Sequence, residues 1–192
     1  VDATVETPFA AAAAAPSGRS GVAVADGAAP WHAFPRGAVP GNFLHDQLEW
    51  LAGEGFALAD SPALQQQLQR RCEQQGWGPR AAAVQAWLAA VVDTPMPPVG
   101  APLRAIARLL PEMEFWFPSD GLVASRVDEL CRTHLLAGLA RPALPERELR
   151  GMLMGFADLV FEHDGRWWVL DYKSNALGLG DADYTPQALR AA

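Results

Sequence analysis

The chain has 192 residues, half of them apolar and 19% charged, with a formal net charge of −7. That balance is globular rather than disordered, and the acidic surplus excludes a free-standing nucleic-acid binder relying on its own basic face. No apolar run approaches the ~20 residues that cross a bilayer, and the opening residues lack a basic segment followed by an apolar one, so neither a membrane contact nor a signal peptide is expected.

Residues 1–30, "VDATVETPFAAAAAAPSGRSGVAVADGAAP", hold few large side chains and cannot bury enough apolar surface to order themselves. They read as a flexible linker following some earlier segment, with one domain over 31–192. In "WHAFPRGAVPGNFLHDQLEWLAGEG", Pro40 and Gly41 are expected to break the chain and Asn42 to cap a helix. Phe43, Leu44, Leu48 and Leu51 then follow helical spacing until Gly53 and Gly55 stop it. Two further helices are predicted at about 62–75 and 80–92, closing at "TPMPP". Cys72 and Cys131 stand alone, too few for a four-cysteine zinc or iron–sulfur centre; they read as reduced thiols in a cytoplasmic protein.

In "RLLPEMEFWFPSDG", Glu114, Phe115, Trp116 and Phe117 predict a strand ending at Pro118. A helix over about 121–138 follows, then "RPALPERELRG" as a loop with at most one helical turn. Two apolar strands flank Asp164-Gly165, and "YTPQALRAA" opens a last helix that the end of the sequence cuts short. The order helices, strand, helix, hairpin, helix implies an α+β (α/β-like) domain: a small mixed sheet flanked by helices.

The hairpin "GFADLVFEHDGRWWVLDYKSN" carries the chemistry. Asp-Gly is a strong signal for a two-residue type I′ turn, whose central positions both need positive φ. With Asp164-Gly165 as the turn, His163 pairs with Arg166, Glu162 with Trp167 and, by continuation, Asp158 with Asp171. Opposed carboxylates repel unless one is protonated or a cation lies between them, and Lys173 falls two positions along on the face of Asp171. Oxygen ligands in this arrangement suit Mg²⁺ or Mn²⁺. The simpler alternative is that Lys173 merely neutralises Asp171 at a strand end.

An Asp on one strand followed by Asp-x-Lys on the next resembles the PD-(D/E)xK core of restriction-endonuclease-like enzymes. More narrowly, "GFADLVF…GRWWVLDYKSN", "FPRGAVPGNFLH", "LPEMEFWFP" and "YTPQAL" together resemble the C-terminal nuclease domain of the RecB family. The similarity covers Trp31 to Ala192. It implies a DNA nuclease of the exodeoxyribonuclease V type in double-strand-break end processing and recombinational repair, with Mg²⁺ as cofactor, Mn²⁺ as substitute and Ca²⁺ as inhibitory occupant. By resemblance, Asp158 and Asp171 bind the metal with His45 and the Tyr172 carbonyl. Lys173 orients the attacking water or stabilises the scissile phosphate. Glu114 stands just outside, with Glu112 a weaker competitor.

The implied partners are RecC-like and RecD-like subunits, with single-stranded DNA ends delivered by helicase motors. The family's glutamine–tyrosine helix falls beyond this sequence, so the domain reads as truncated and the chain alone as open to inactivity. The alternative from another class is a catalytically inactive, nuclease-like interaction domain of the same complex. His45 by itself would read as a structural histidine, and Glu49, one turn on, as a solvated acid. Of Trp167 and Trp168, one should face the core.

Overall fold

The computed structural model describes residues 29–134 and 142–191. All but the last two residues of the expected linker, and the final turn of the helix expected to reach 138, lie outside them. Helix α1 (Ala38–Gly53) starts five residues earlier than expected, capped at Gly37 rather than Asn42. Pro40 and Gly41 occupy its first turn, where a proline's missing N–H has no intrahelical partner to lose. The Gly41 amide donates to the Gly37 carbonyl at 3.0 Å. From there α1 buries Phe43, Leu44, Gln47, Leu48 and Leu51, a stripe recurring every three to four residues. Gln47 is fully buried, yet its Oε1 accepts from Arg71 Nε at 2.5 Å and its Nε2 donates to the Phe43 carbonyl at 3.0 Å, so no polar atom is stranded.

Helix α2 (Pro62–Gln74) opens on Ser61, whose side chain accepts from the Leu64 amide at 3.3 Å. Helix α3 (Ala81–Asp93) buries Val84, Leu88 and Val92. Both stand within a residue of their expected bounds. None of the described helices is long and apolar enough to cross a membrane.

Strand β1 (Arg108–Pro118) runs six residues further back than Glu114. The chain then passes through β2 (Leu122–Val123), α4 (Ala124–His134) and β3 (Glu148–Leu149) before β4 (Met152–His163) and β5 (Arg166–Leu170). The sheet order is β1-β4-β5, with β4 in the centre. Every described pairing is antiparallel, which corrects the expected mixed sheet: the connections bring the chain back on itself and none crosses over to a parallel neighbour. Part of the expected loop "RPALPERELRG" is also strand, since Glu148 and Leu149 pair with Val123 and Leu122. The Ser119 amide and hydroxyl both donate to the Gly151 carbonyl, at 2.9 and 3.0 Å, closing the excursion between β1 and β4.

Asp164 (φ 52°) and Gly165 (φ 73°) turn the hairpin, both in the positive region that a type I′ turn requires. The resulting register runs from His163↔Arg166 to Leu159↔Leu170. Leu159 and Phe161 are buried against the helices, each worth about 2–3 kcal/mol of transfer free energy. Alternation splits the tryptophans: Trp168 stacks on Phe161 with centroids 6.5 Å apart, and Trp167 is exposed beneath the Arg108 guanidinium at 5.7 Å. The other face of the sheet is apolar and open, with Leu110, Trp116, Met154, Phe156 and Val169 each more than half exposed.

Candidate active site

Four elements converge beside the start of α1. His45 follows directly on buried Leu44, at the flank of the helix's apolar stripe. Asp158 directly precedes buried Leu159 on β4. The β4–β5 ladder ends at Leu159↔Leu170; Asp158 is the next residue on β4, and Asp171 is the first residue beyond β5. On the other side of β4, Glu112 falls between the pairs Pro111↔Leu159 and Met113↔Ala157, at the rung of Asp158. Glu112 and Asp158 therefore sit side by side on neighbouring strands, with Asp171 just past the end of the third.

His45 Nε2 lies 2.9 Å from Asp158 Oδ2, and His45 Nδ1 lies 3.8 Å from Glu112 Oε1. The Tyr172 amide donates to Asp158 Oδ2 at 2.6 Å. Burial opposes ionisation of Asp158, but the Tyr172 amide, the hydrogen bond and charge of His45, and the charge of Lys173 together hold its carboxyl below the usual range. Glu112 is pushed the other way, by burial first and then by the negative charges of Glu49, Asp158 and Asp46, with His45 in partial opposition. Its backbone stands at φ 46°, a conformation uncommon for a non-glycine residue. Pro111 in the preceding position cannot donate to the ladder. That proline was the available signal that the ladder pairing lapses at Glu112.

Lys173 Nζ lies 2.6 Å from Asp171 Oδ2, both side chains largely exposed. The hydrogen bond to Asp171 raises the Lys173 pKa. His45, Asp158, Asp171, Tyr172 and Lys173 all line one open cleft of ≈ 450 Å³. Gly41 is what lets α1 come so close to this segment: a Cβ there would stand 2.7 Å from Ser174 Oγ. The Tyr172 ring packs on the core and meets His45 edge-on at 5.6 Å.

Of the residues singled out from sequence, His45 and Asp158 meet directly, while Asp171 turns to Lys173. Glu114 is exposed and accepts from Trp116 Nε1 at 2.8 Å, so Glu112 rather than Glu114 stands beside His45. One ligand atom each from His45, Glu112 and Asp158 lie within 4.8 Å of one another, so side-chain shifts of well under ~1 Å would bring them within the ~4.2 Å that two bonds of about 2.1 Å span. Glu112 Oε1 is buried without a hydrogen-bond partner. A buried, orphaned carboxylate oxygen aimed at a histidine and a second carboxylate fits a divalent cation.

No protein-family model matches the chain. Among curated proteins, it is 39% identical over 164 residues to RecBCD enzyme subunit RecB of Escherichia coli (strain K12), an alignment spanning 84% of this chain and 14% of that protein. The RecB subunit of Mycolicibacterium smegmatis is 31% identical over 188 residues, covering 85% of this chain and 17% of the relative. The Haemophilus influenzae RecB subunit is 32% identical over 114 residues, or 56% and 9%. The chain is RecB-like. It spans less than a fifth of each of these relatives and corresponds to one region of a RecBCD-type enzyme subunit. The α+β architecture, helices on one face of a small antiparallel sheet, is consistent with a nuclease-like core.

Proposed function

We propose that this RecB-like chain is a metal-dependent nuclease region that hydrolyses phosphodiester bonds of DNA during end processing and recombinational repair. One observation carries the reading: His45, Glu112 and Asp158 converge within 4.8 Å, and His45 and Asp158 also line a cleft with Asp171 and Lys173. The similarity to RecB subunits supports DNA as the substrate and RecC-like and RecD-like subunits as partners; single-stranded ends are the form this reading assigns. The net charge of −7 fits a region to which other parts of an assembly deliver the strand.

Mg²⁺, or Mn²⁺ in its place, would be held by Asp158, Glu112 and His45, with Asp171 and the Tyr172 carbonyl as further ligands. When bound, such a cation supplies positive charge beside a phosphoryl oxygen and acidifies a water. The imidazole favours Mn²⁺ of the two. The chain's own groups do the positioning. The Tyr172 amide and His45 hold Asp158 ionised and in place. The hydrogen bond and charge of Asp171 raise the Lys173 pKa, and the ammonium keeps further N–H donors to meet a phosphate oxygen entering the cleft. In hydrolysis, a water oxygen bonds to phosphorus as the ester P–O bond breaks and the leaving oxygen takes up a proton.

The test is cleavage of single-stranded DNA in Mg²⁺ or Mn²⁺ by a RecB-like polypeptide carrying this chain, alongside Mn²⁺ titration of the chain itself. Asp171→Ala and Lys173→Ala should each slow cleavage about 100-fold or more, and Asp158→Ala should abolish Mn²⁺ binding as well. Unchanged cleavage in the Asp171 and Lys173 variants would overturn the assignment.

A further inference from the structure

The segment Lys173–Ala176 is a shared wall. On one side lies the cleft of ≈ 450 Å³ with His45 and Asp158; on the other lies a separate pocket of ≈ 150 Å³. This second pocket is walled by the rings of Trp31, His32, Phe34, Trp87 and Tyr184. It is much smaller than the ~300–1,000 Å³ of a drug-sized site, so it has room for one ring system rather than a large ligand. Arg36 and Lys173 line both cavities, placing a cation at each end of the shared wall.

The pocket is a built feature. Phe34 is buried and packs its ring 5.1 Å from Trp77 and 5.8 Å from Trp87. His32 is fixed by Asp181, with Nε2 2.6 Å from Oδ1, and lies 6.2 Å from the Trp31 ring and 5.8 Å from that of Tyr184. The Arg36 guanidinium is held at the rim through Nη2, which donates to the Gly178 carbonyl at 2.6 Å. Trp31 and Tyr184 keep part of their surface open. Aromatic faces beside a cationic rim are what a base and its phosphates require of a single-strand site.

We infer that this aromatic pocket receives one unpaired nucleobase of a single DNA strand whose neighbouring phosphate lies in the metal-site cleft, with Arg36 meeting the phosphate on its far side. The inference rests on the nuclease reading above, and it adds what that reading leaves open: how the strand is gripped on one side of the bond to be cut. Trp31 and Tyr184 are positioning residues here. They touch the base and hold the phosphate in register without sharing in the hydrolysis.

Base–aromatic stacking is worth about 1–3 kcal/mol per base, or about 5- to 150-fold in affinity. The experiment measures binding of two labelled oligothymidylates by fluorescence anisotropy in Ca²⁺, one intact and one with a run of abasic positions that keeps every phosphate. The wild-type chain should favour the intact strand at least fivefold. Trp31→Ala and Tyr184→Ala should each reduce that preference while leaving the melting shift produced by Mn²⁺ unchanged, and Trp31→Phe should retain it. Equal binding of both strands by wild type, binding of neither, or full preference in both alanine variants would overturn the pocket. If wild type binds Mn²⁺ through Asp158 yet shows no preference, the pocket fails and the nuclease reading stands. If Mn²⁺ binding is absent as well, that reading fails with it.

Discussion

Glu112→Gln should make the metal-free chain more stable and the metal-loaded chain less so. Glu112 shares its rung with Asp158 and faces the negative charges of Glu49 and Asp46. Two unit charges 4.8 Å apart, the outer limit for the site's ligand atoms, interact by about 3.5 kcal/mol at an effective dielectric of about 20 and about 0.9 kcal/mol in bulk water. The Glu112 side chain is 32% exposed, and His45 at 3.8 Å offsets part of the repulsion, so a relief of about 0.5–1 kcal/mol is expected. The sign follows from the direction of the shift. A carboxyl whose folded pKa is raised contributes stability below its ordinary range and loses that contribution as pH rises through the folded value. At pH 7 the ionised group is therefore a liability that glutamine removes.

In a domain of this size, that relief raises the apo melting temperature by about 1–4 °C. A cation at a hundredfold excess over its Kd stabilises the wild type by about 2.7 kcal/mol, which is about 5–10 °C, and the variant should lose most of it. Thermal unfolding followed by circular dichroism, with and without MnCl₂, gives both numbers. A variant that melts below wild type without metal would refute the repulsion argument. One that keeps the whole metal-induced shift would remove Glu112 from the ligand set.

Gly41→Ala gains helix propensity but drives a Cβ to 2.7 Å from Ser174 Oγ; DNA cleavage should fall, and adding Ser174→Gly should restore it, as kinetics of the single and double variants would report. Gly165→Ala places a Cβ at φ 73° in the hairpin turn and should cost about 1–2 kcal/mol, measurable as a lower denaturation midpoint. Cys72 is fully buried, and burial raises its thiol pKa, whereas Cys131 is partly exposed. A thiol-reactive disulfide reagent should thus modify one cysteine quickly in the native chain and the second only in guanidinium. The open sheet face should bind a hydrophobic dye, and Phe156→Glu should reduce that signal without lowering the melting temperature, because Phe156 is 55% exposed.

How far such features are legible in sequence varies with how local their causes are. The Asp164-Gly165 turn fixes the hairpin register through the geometry of two residues, so the pairs His163↔Arg166 and Glu162↔Trp167 could be matched from the sequence alone. The start of α1 could not, because Pro40 breaks a helix in one context and opens it in another. Glu112 and Glu114 differ by one period of an ideal strand, and only the positive φ after Pro111 separates them. The pairing of β2 with β3, and the antiparallel sense of the whole sheet, depend on contacts between distant segments that no short window encodes.

The candidate site draws on α1, β1, β4 and the residues after β5, and none of these segments holds two of His45, Glu112, Asp158 and Asp171 except across the hairpin. Chains are synthesised from the N-terminus at about 5–20 residues per second. His45 emerges first, and Asp171 with Lys173 only after the helices and the first two long strands have left the ribosome. A chain halted anywhere before the hairpin carries a histidine and one acid that have nothing to act with. Within this region, the side chains of the candidate site are therefore complete only once β5, the last strand of the described sheet, and the residues just after it have been made.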